Sequence, residues 1–154
     1  MGTIRCRLAR PIGLSVVCVV VLLSVGCGKK APAEANAALD SALKALAKGE
    51  ANTFVAAVVP AQREEVASLG EWSFFQNAKS HKIDNEFDLN VTDDSASIMT
   101  TLYFDDAEKA FSTMYFVMKK ADGAWCIDLD ETIKKERETD GAHAFQVWTF
   151  EQQP

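Results

Sequence analysis

The sequence predicts an α+β protein in which N-terminal helices pack on an antiparallel sheet, preceded by a cleaved signal peptide. Apolar residues recur with the helical period between residues 35 and 79, and from Ile83 onward they alternate with a period of two. Asp122-Gly123 lies between two alternating runs, which is the strongest short-range signal for a β-hairpin. The first 26 residues are basic, then apolar and then small, which is the order of a secretory signal peptide. A single domain over residues 35–154 would follow.

The N-terminal segment ends in the pentapeptide Leu23-Ser24-Val25-Gly26-Cys27. It closes an apolar run that is too short for the roughly 18 residues of a spanning helix. The pentapeptide resembles the lipobox of bacterial lipoproteins. That resemblance implies a signal peptide over 1–26, a lipid on Cys27, a lipidated tether over 27–34 and the membrane as a partner. In the same class of proteins an Asp after the lipidated Cys favours retention in the inner membrane. Gly28 therefore implies an anchor in the outer membrane, where the cell envelope has two membranes.

The charge of the processed chain argues against nucleic acid as a partner. Residues 1–26 contain three arginines and no acid, so their removal changes the net charge from −6 to −9. Cleavage and lipidation would also leave Cys126 as the one free cysteine, so no intramolecular disulfide is expected. The alternatives to a lipoprotein are an ordinary secreted protein and an uncleaved signal anchor.

Four helical segments are predicted before the sheet. Leu39, Leu43 and Leu46 recur at i, i+4 and i+7, and Gly49 ends this first helix. A second helix is expected between Asn52 and Pro60. A third is expected over 61–69 and a fourth over 71–79.

Five strands are predicted from Ile83 onward. The first has Phe87, Leu89 and Val91 on its inner face and Asp84, Glu86 and Asp88 on its solvated face. The second covers 96–104, and the third, 110–120, is apolar on both faces and therefore central. The fourth covers 125–129 and the last 143–151. The charged run 130–140 is expected to be a solvated helix outside the core or a mobile loop.

The order of these elements, with two short motifs, resembles the nuclear-transport-factor-two-like superfold, including its lumazine-binding-like members among small bacterial lipoproteins. The motifs are the helix stop from Leu46 to Glu50 and the hairpin from Lys120 to Trp125. The resemblance covers about residues 35–130 and implies a curved sheet that wraps the helices into a cone. Members of this superfold include enzymes and binding modules, so the fold alone does not determine the function.

The candidate site residues are four aromatic side chains and one acid. Trp72, Phe75, Tyr103 and Tyr115 either line an apolar ligand pocket or fill the core. Asp128 would act as a buried base with a tyrosine in an isomerase-like or dehydratase-like site. Neither a metal nor a cofactor is expected, because the two histidines have no further ligands at suitable spacing. We therefore expect a non-enzymatic envelope lipoprotein that binds a small apolar ligand or a partner protein, with the enzyme as the alternative.

Overall fold

A computed structural model describes residues 29–149 of the chain. The predicted signal peptide and Cys27 lie outside this range. The helices are α1 (Ala33–Ala47), α2 (Ala51–Ala56), α3 (Trp72–Gln76) and α4 (Leu129–Asp140), and the strands are β1 (Ser80–Leu89), β2 (Ser95–Tyr103), β3 (Ala110–Ala121), β4 (Ala124–Ile127) and β5 (Trp148–Thr149). Helices pack against an antiparallel sheet, so the predicted α+β class is confirmed.

Helix α1 buries the stripe that its sequence predicts. Leu39, Leu43 and Leu46 are buried in the core. Gly49 ends the helix with a positive φ of 77°, and the Glu50 N–H donates to the carbonyl of Ala45 at 2.9 Å. A Cβ at Gly49 would meet no atom within 4 Å, so the backbone conformation, not space, favours glycine here. The helix begins at Ala33, and Ala31 before it is already buried.

The helical segment after α1 is more irregular than predicted. The prediction of a helix over 61–69 is wrong, because this stretch forms two short 3₁₀ turns, Pro60–Gln62 and Val66–Ser68. Within the stretch only Val66 is fully buried. Tertiary packing supplies most of the stability of a short helix, so one buried side chain gives little support for a longer one.

Strand β1 changes face part-way along its length. Asp84 pairs with Met99 and Leu89 pairs with Ser97, so β1 carries three residues more than β2 over this interval. An odd number of extra residues reverses the alternation beyond the bulge. Asp88 is consequently buried, whereas Phe87 and Leu89 are exposed. The prediction that Phe87 and Leu89 face the core and Asp88 faces solvent is therefore wrong.

Strand β3 is central, as its two apolar faces predict. It pairs with β2 along one side, and on the other side β4 pairs with Met118–Ala121 and β5 with Ala110–Phe111. Asp122 and Gly123 form the predicted hairpin turn with positive φ at both positions. The last strand is shorter than predicted within the described residues.

Helix α4 covers the part of the β3 edge that lies between β4 and β5. The Val117 N–H donates to the Thr132 hydroxyl at 2.9 Å, and that hydroxyl donates to the carbonyl of Asp128 at 2.7 Å. Leu129 and Ile133 join the hydrophobic core. The expectation that residues 130–140 lie outside the core is therefore wrong, because α4 replaces a strand partner and buries one face.

The space between helices and sheet is filled by large side chains. The fully buried ones include three aromatic rings and aliphatic residues from both layers, among them Phe54, Phe75, Phe116, Leu39, Ile98 and Leu102. No helix within residues 29–149 has both the length and the apolar character needed to cross a bilayer.

Candidate functional site

The four aromatic candidates do not converge on one cavity. Phe75 is fully buried, with its ring 6.0 Å from that of Phe116. Trp72 is half-buried against Phe54 at 5.6 Å. Tyr103 and Tyr115 lie on the opposite face of the sheet, because Leu102 and Phe116 next to them point into the core. Phe75 and Trp72 thus belong to the helix–sheet core, and the two tyrosines do not.

Asp128 is the N-cap of α4 and is held by several donors. Its Oδ1 accepts from the Gln62 side-chain amide at 2.8 Å and from the Glu131 N–H at 3.1 Å, and its Oδ2 lies 2.6 Å from Lys119 Nζ. Burial acts to raise the pKa of this carboxyl, but the hydrogen bonds from Lys119 and Gln62 outweigh it and the pKa is lowered. The same contact raises the pKa of Lys119. Asp128 is therefore an ionised capping residue.

Asp128 and the tyrosines are not brought together in the part of the chain that the structure describes. The hydrogen bonds to the Asp128 carboxylate come from Gln62, Glu131 and Lys119, and none of these donors is a tyrosine. Tyr115 instead lies beneath Lys135, whose Nζ is 5.3 Å from the ring centroid. The acid and phenol of the predicted enzyme site thus have separate environments.

A groove of about 530 Å³ runs along α4 on the side of the helical segment, and we call it the α4 groove. Leu69 and Ile133 contribute its apolar surface. Its other lining residues are charged, and both signs are present: Glu71, Asp130, Lys134, Arg137 and Glu138. Glu71 and Arg137 form an ion pair within this lining. The α4 groove is thus an open, charged depression with an apolar floor.

Glu136 is a buried acidic residue that the sequence analysis did not single out. It is only 4 % exposed, and none of the hydrogen bonds or ion pairs between described residues involves its carboxyl. Burial, with a smaller contribution from Asp140, raises its pKa from 4.5 to about 7. Its helical spacing from Leu129, Thr132 and Ile133 is the signal that could have revealed it, since these four residues share one face.

A second charged cluster joins α1 to β1. Asp40 accepts from Lys44 Nζ at 2.7 Å and contacts His81 Nε2 at 3.0 Å. The hydrogen bond from Lys44 is the main cause of a lowered pKa of Asp40, and His81 adds to it against the opposing effect of burial. The His81 side chain is only 9 % exposed, so this contact fixes the packing of two elements.

The described residues contain no group of three or more metal-ligating side chains. No protein-family model matches the sequence, and the searches found neither a curated protein nor a solved structure with significant similarity to it.

Proposed function

We propose that this protein is a lipid-anchored lipoprotein of the bacterial envelope whose α+β domain binds a partner protein without catalysing a reaction. The observation that carries the binding proposal is the α4 groove, and the lipobox-like pentapeptide ending in Cys27 carries the anchor. By the sorting rule, Gly28 supports an anchor in the outer membrane where two membranes exist. The cone-like curvature of the nuclear-transport-factor-two-like superfold is part of the same proposal, and the order of helices followed by an antiparallel meander supports it.

The lining of the α4 groove favours a protein over a small apolar ligand. A small apolar molecule would cover charged groups such as Lys134 and Glu138 without giving them hydrogen-bond partners, which is costly. A protein segment with mixed charges can pair with both signs and still place an apolar side chain against Leu69 and Ile133. The occupant we expect is therefore an amphipathic segment of another envelope protein.

The environment of Asp128 favours a binding protein over the enzyme. A general base works best when its pKa lies near the operating pH. The Asp128 carboxylate has a lowered pKa and already accepts from Gln62, Glu131 and Lys119. Those contacts support a capping role and leave little basicity for proton abstraction.

The anchor is tested by Cys27→Ser. We expect the variant to accumulate as an unacylated precursor that retains residues 1–26, which intact-protein mass spectrometry detects. Cys126→Ser is the matched control, since Cys126 is buried in β4 and should not affect acylation. An unchanged mass for Cys27→Ser would contradict the lipoprotein proposal.

The partner proposal is tested by a photo-crosslinking amino acid at Lys134, which is exposed in the α4 groove. We expect one defined protein adduct in cells, lost when Leu69→Arg introduces a charge into the apolar floor. The control position is Ala107, exposed in the connection between β2 and β3. Equal adducts from both positions, or adducts insensitive to Leu69→Arg, would contradict it. A small molecule in native mass spectrometry that Leu69→Arg displaces would support the apolar-ligand alternative instead.

A further inference from the structure

Phe87 and Leu89 form an exposed apolar pair near the end of β1, which we call the β1 ridge. They are 53 % and 43 % exposed, and Asp88 between them is buried. Both project outward because the three extra residues of β1 reverse its alternation. Large apolar side chains that lie together outside the core often mark a surface that contacts a membrane or another molecule.

The chain enters the domain directly beside the β1 ridge. The Ala31 N–H donates to Asp88 Oδ2 at 2.7 Å, and Asp88 lies between the two ridge residues. Lys29 Nζ lies 3.4 Å from Asp93 in the connection between β1 and β2. The bulge therefore holds the N-terminal segment and the ridge at the same end of the sheet.

We propose that the β1 ridge inserts into the bilayer that carries the lipid on Cys27. This inference rests on the proposed lipid anchor. Cys27 is four residues from Ala31, and covalent geometry limits that distance to about 14 Å. Because Ala31 is bound to Asp88, the lipid must enter the membrane close to Phe87 and Leu89. An anchored domain consequently meets the bilayer with its β1 ridge.

Burial of apolar surface would drive this insertion, not attraction between opposite charges. Lys29 and Lys30 are accompanied by exposed acids at Glu86, Asp93 and Asp94, so this end of the domain has no excess of positive charge. Two side chains suffice because the lipid makes docking intramolecular and raises the effective concentration of the membrane. Docking should therefore occur on zwitterionic vesicles and change little with salt.

The test uses the acylated protein reconstituted in phosphatidylcholine vesicles that contain lipids with nitroxide-labelled acyl chains. A fluorophore is attached at Asn85→Cys, beside the ridge, or at Ala107→Cys, at the opposite end of the sheet. Buried Cys126 and acylated Cys27 leave the introduced thiol as the reactive one. We expect nitroxide quenching at position 85 and not at position 107.

The matched variant is Phe87→Ser with Leu89→Ser, which alters exposed side chains and should retain the far-ultraviolet circular dichroism of the parent. We expect it to lower the ratio of docked to undocked domain by about tenfold or more, given the apolar area removed. Equal quenching at both positions, or quenching unaffected by the double substitution, would overturn the inference. Pyrene excimer emission from position 85 would show that a second copy covers the ridge, which also overturns it. Loss of the protein from vesicles in alkaline wash would instead refute the lipid anchor.

Discussion

Replacing Glu136 by glutamine tests whether burial in α4 raises the pKa of this side chain. Glu136 is buried, and its pKa is about 7 in the folded protein against an ordinary value of 4.5. Between these values the folded state binds a proton that the unfolded state has released, so stability falls as the pH rises through this window. The free energy of unfolding is therefore about 3 kcal/mol lower at pH 7 than it would be with Glu136 protonated in both states, since each pKa unit corresponds to about 1.4 kcal/mol. Glutamine is nearly isosteric and cannot ionise.

We therefore expect Glu136→Gln and the parent to have similar stability near pH 4.5 and to diverge above it. By pH 8 the free energy of unfolding of the variant should exceed that of the parent by about 3 kcal/mol. Urea denaturation at a series of pH values, followed by circular dichroism, measures both curves. Glu138→Gln is the matched control, because Glu138 is exposed on the same helix. Parallel curves for Glu136→Gln and the parent would show that Glu136 is solvated in the folded protein.

Three further substitutions test other contacts. Thr132→Val should reduce the free energy of unfolding by about 1–3 kcal/mol, because the Val117 N–H loses its acceptor; thermal unfolding with Thr139→Val as an exposed control checks this. Asp128→Asn should destabilise the protein at pH 7, because the ionised carboxylate stabilises the fold fully above the ordinary pKa of 3.8; this contribution is lost as the pH falls from 3.8 through the lowered pKa of the folded state, so a difference that stays constant in a pH series of urea titrations would refute it. Phe75→Ala should cost about 3–5 kcal/mol in urea denaturation, and a cost below 1 kcal/mol would mean that the ring is not in a packed core.

The parts of the fold that the sequence predicts correctly are those in which local pattern and burial agree. Leu39, Leu43 and Leu46 recur at helical spacing and all three are buried. The Asp122-Gly123 turn follows from backbone preferences alone, since both residues adopt positive φ readily. At these positions the local preference of each residue matches the structure, and no distant contact overrides it.

The wrong predictions arise where a distant contact determines the local structure. The alternation of Phe87 and Leu89 looks like that of a core-facing strand, but register with β2 places the bulge before them and reverses the face. The α4 face that packs on β3 includes Thr132 and Glu136, so its burial is hidden within a charged run.

The candidate site was predicted less well than the fold. Gln62 donates to the Asp128 carboxylate from 66 positions away in the sequence, and no local pattern marks such a partner. Residue type alone groups Tyr103 and Tyr115 with Phe75, whereas the face on which each tyrosine lies depends on the register of β2 and β3. The α4 groove depends on the approach of Leu69 and Glu71 to α4, which only the assembled fold provides.

The bulge in β1 also bears on how copies of this protein would avoid one another on a membrane, if they are anchored as proposed. β1 is an edge of the sheet among the described strands, and a long regular edge invites pairing with a neighbouring chain. Lipid-anchored molecules share a surface, so their edges meet more often than those of molecules in free solution. The bulge limits the regular ladder of β1 to residues 80–84, and exposed Lys82 lies within that part. A charged side chain and an interrupted ladder both disfavour strand addition. On a membrane that held copies anchored as proposed, the bulge in β1 would thus disfavour pairing between their sheet edges.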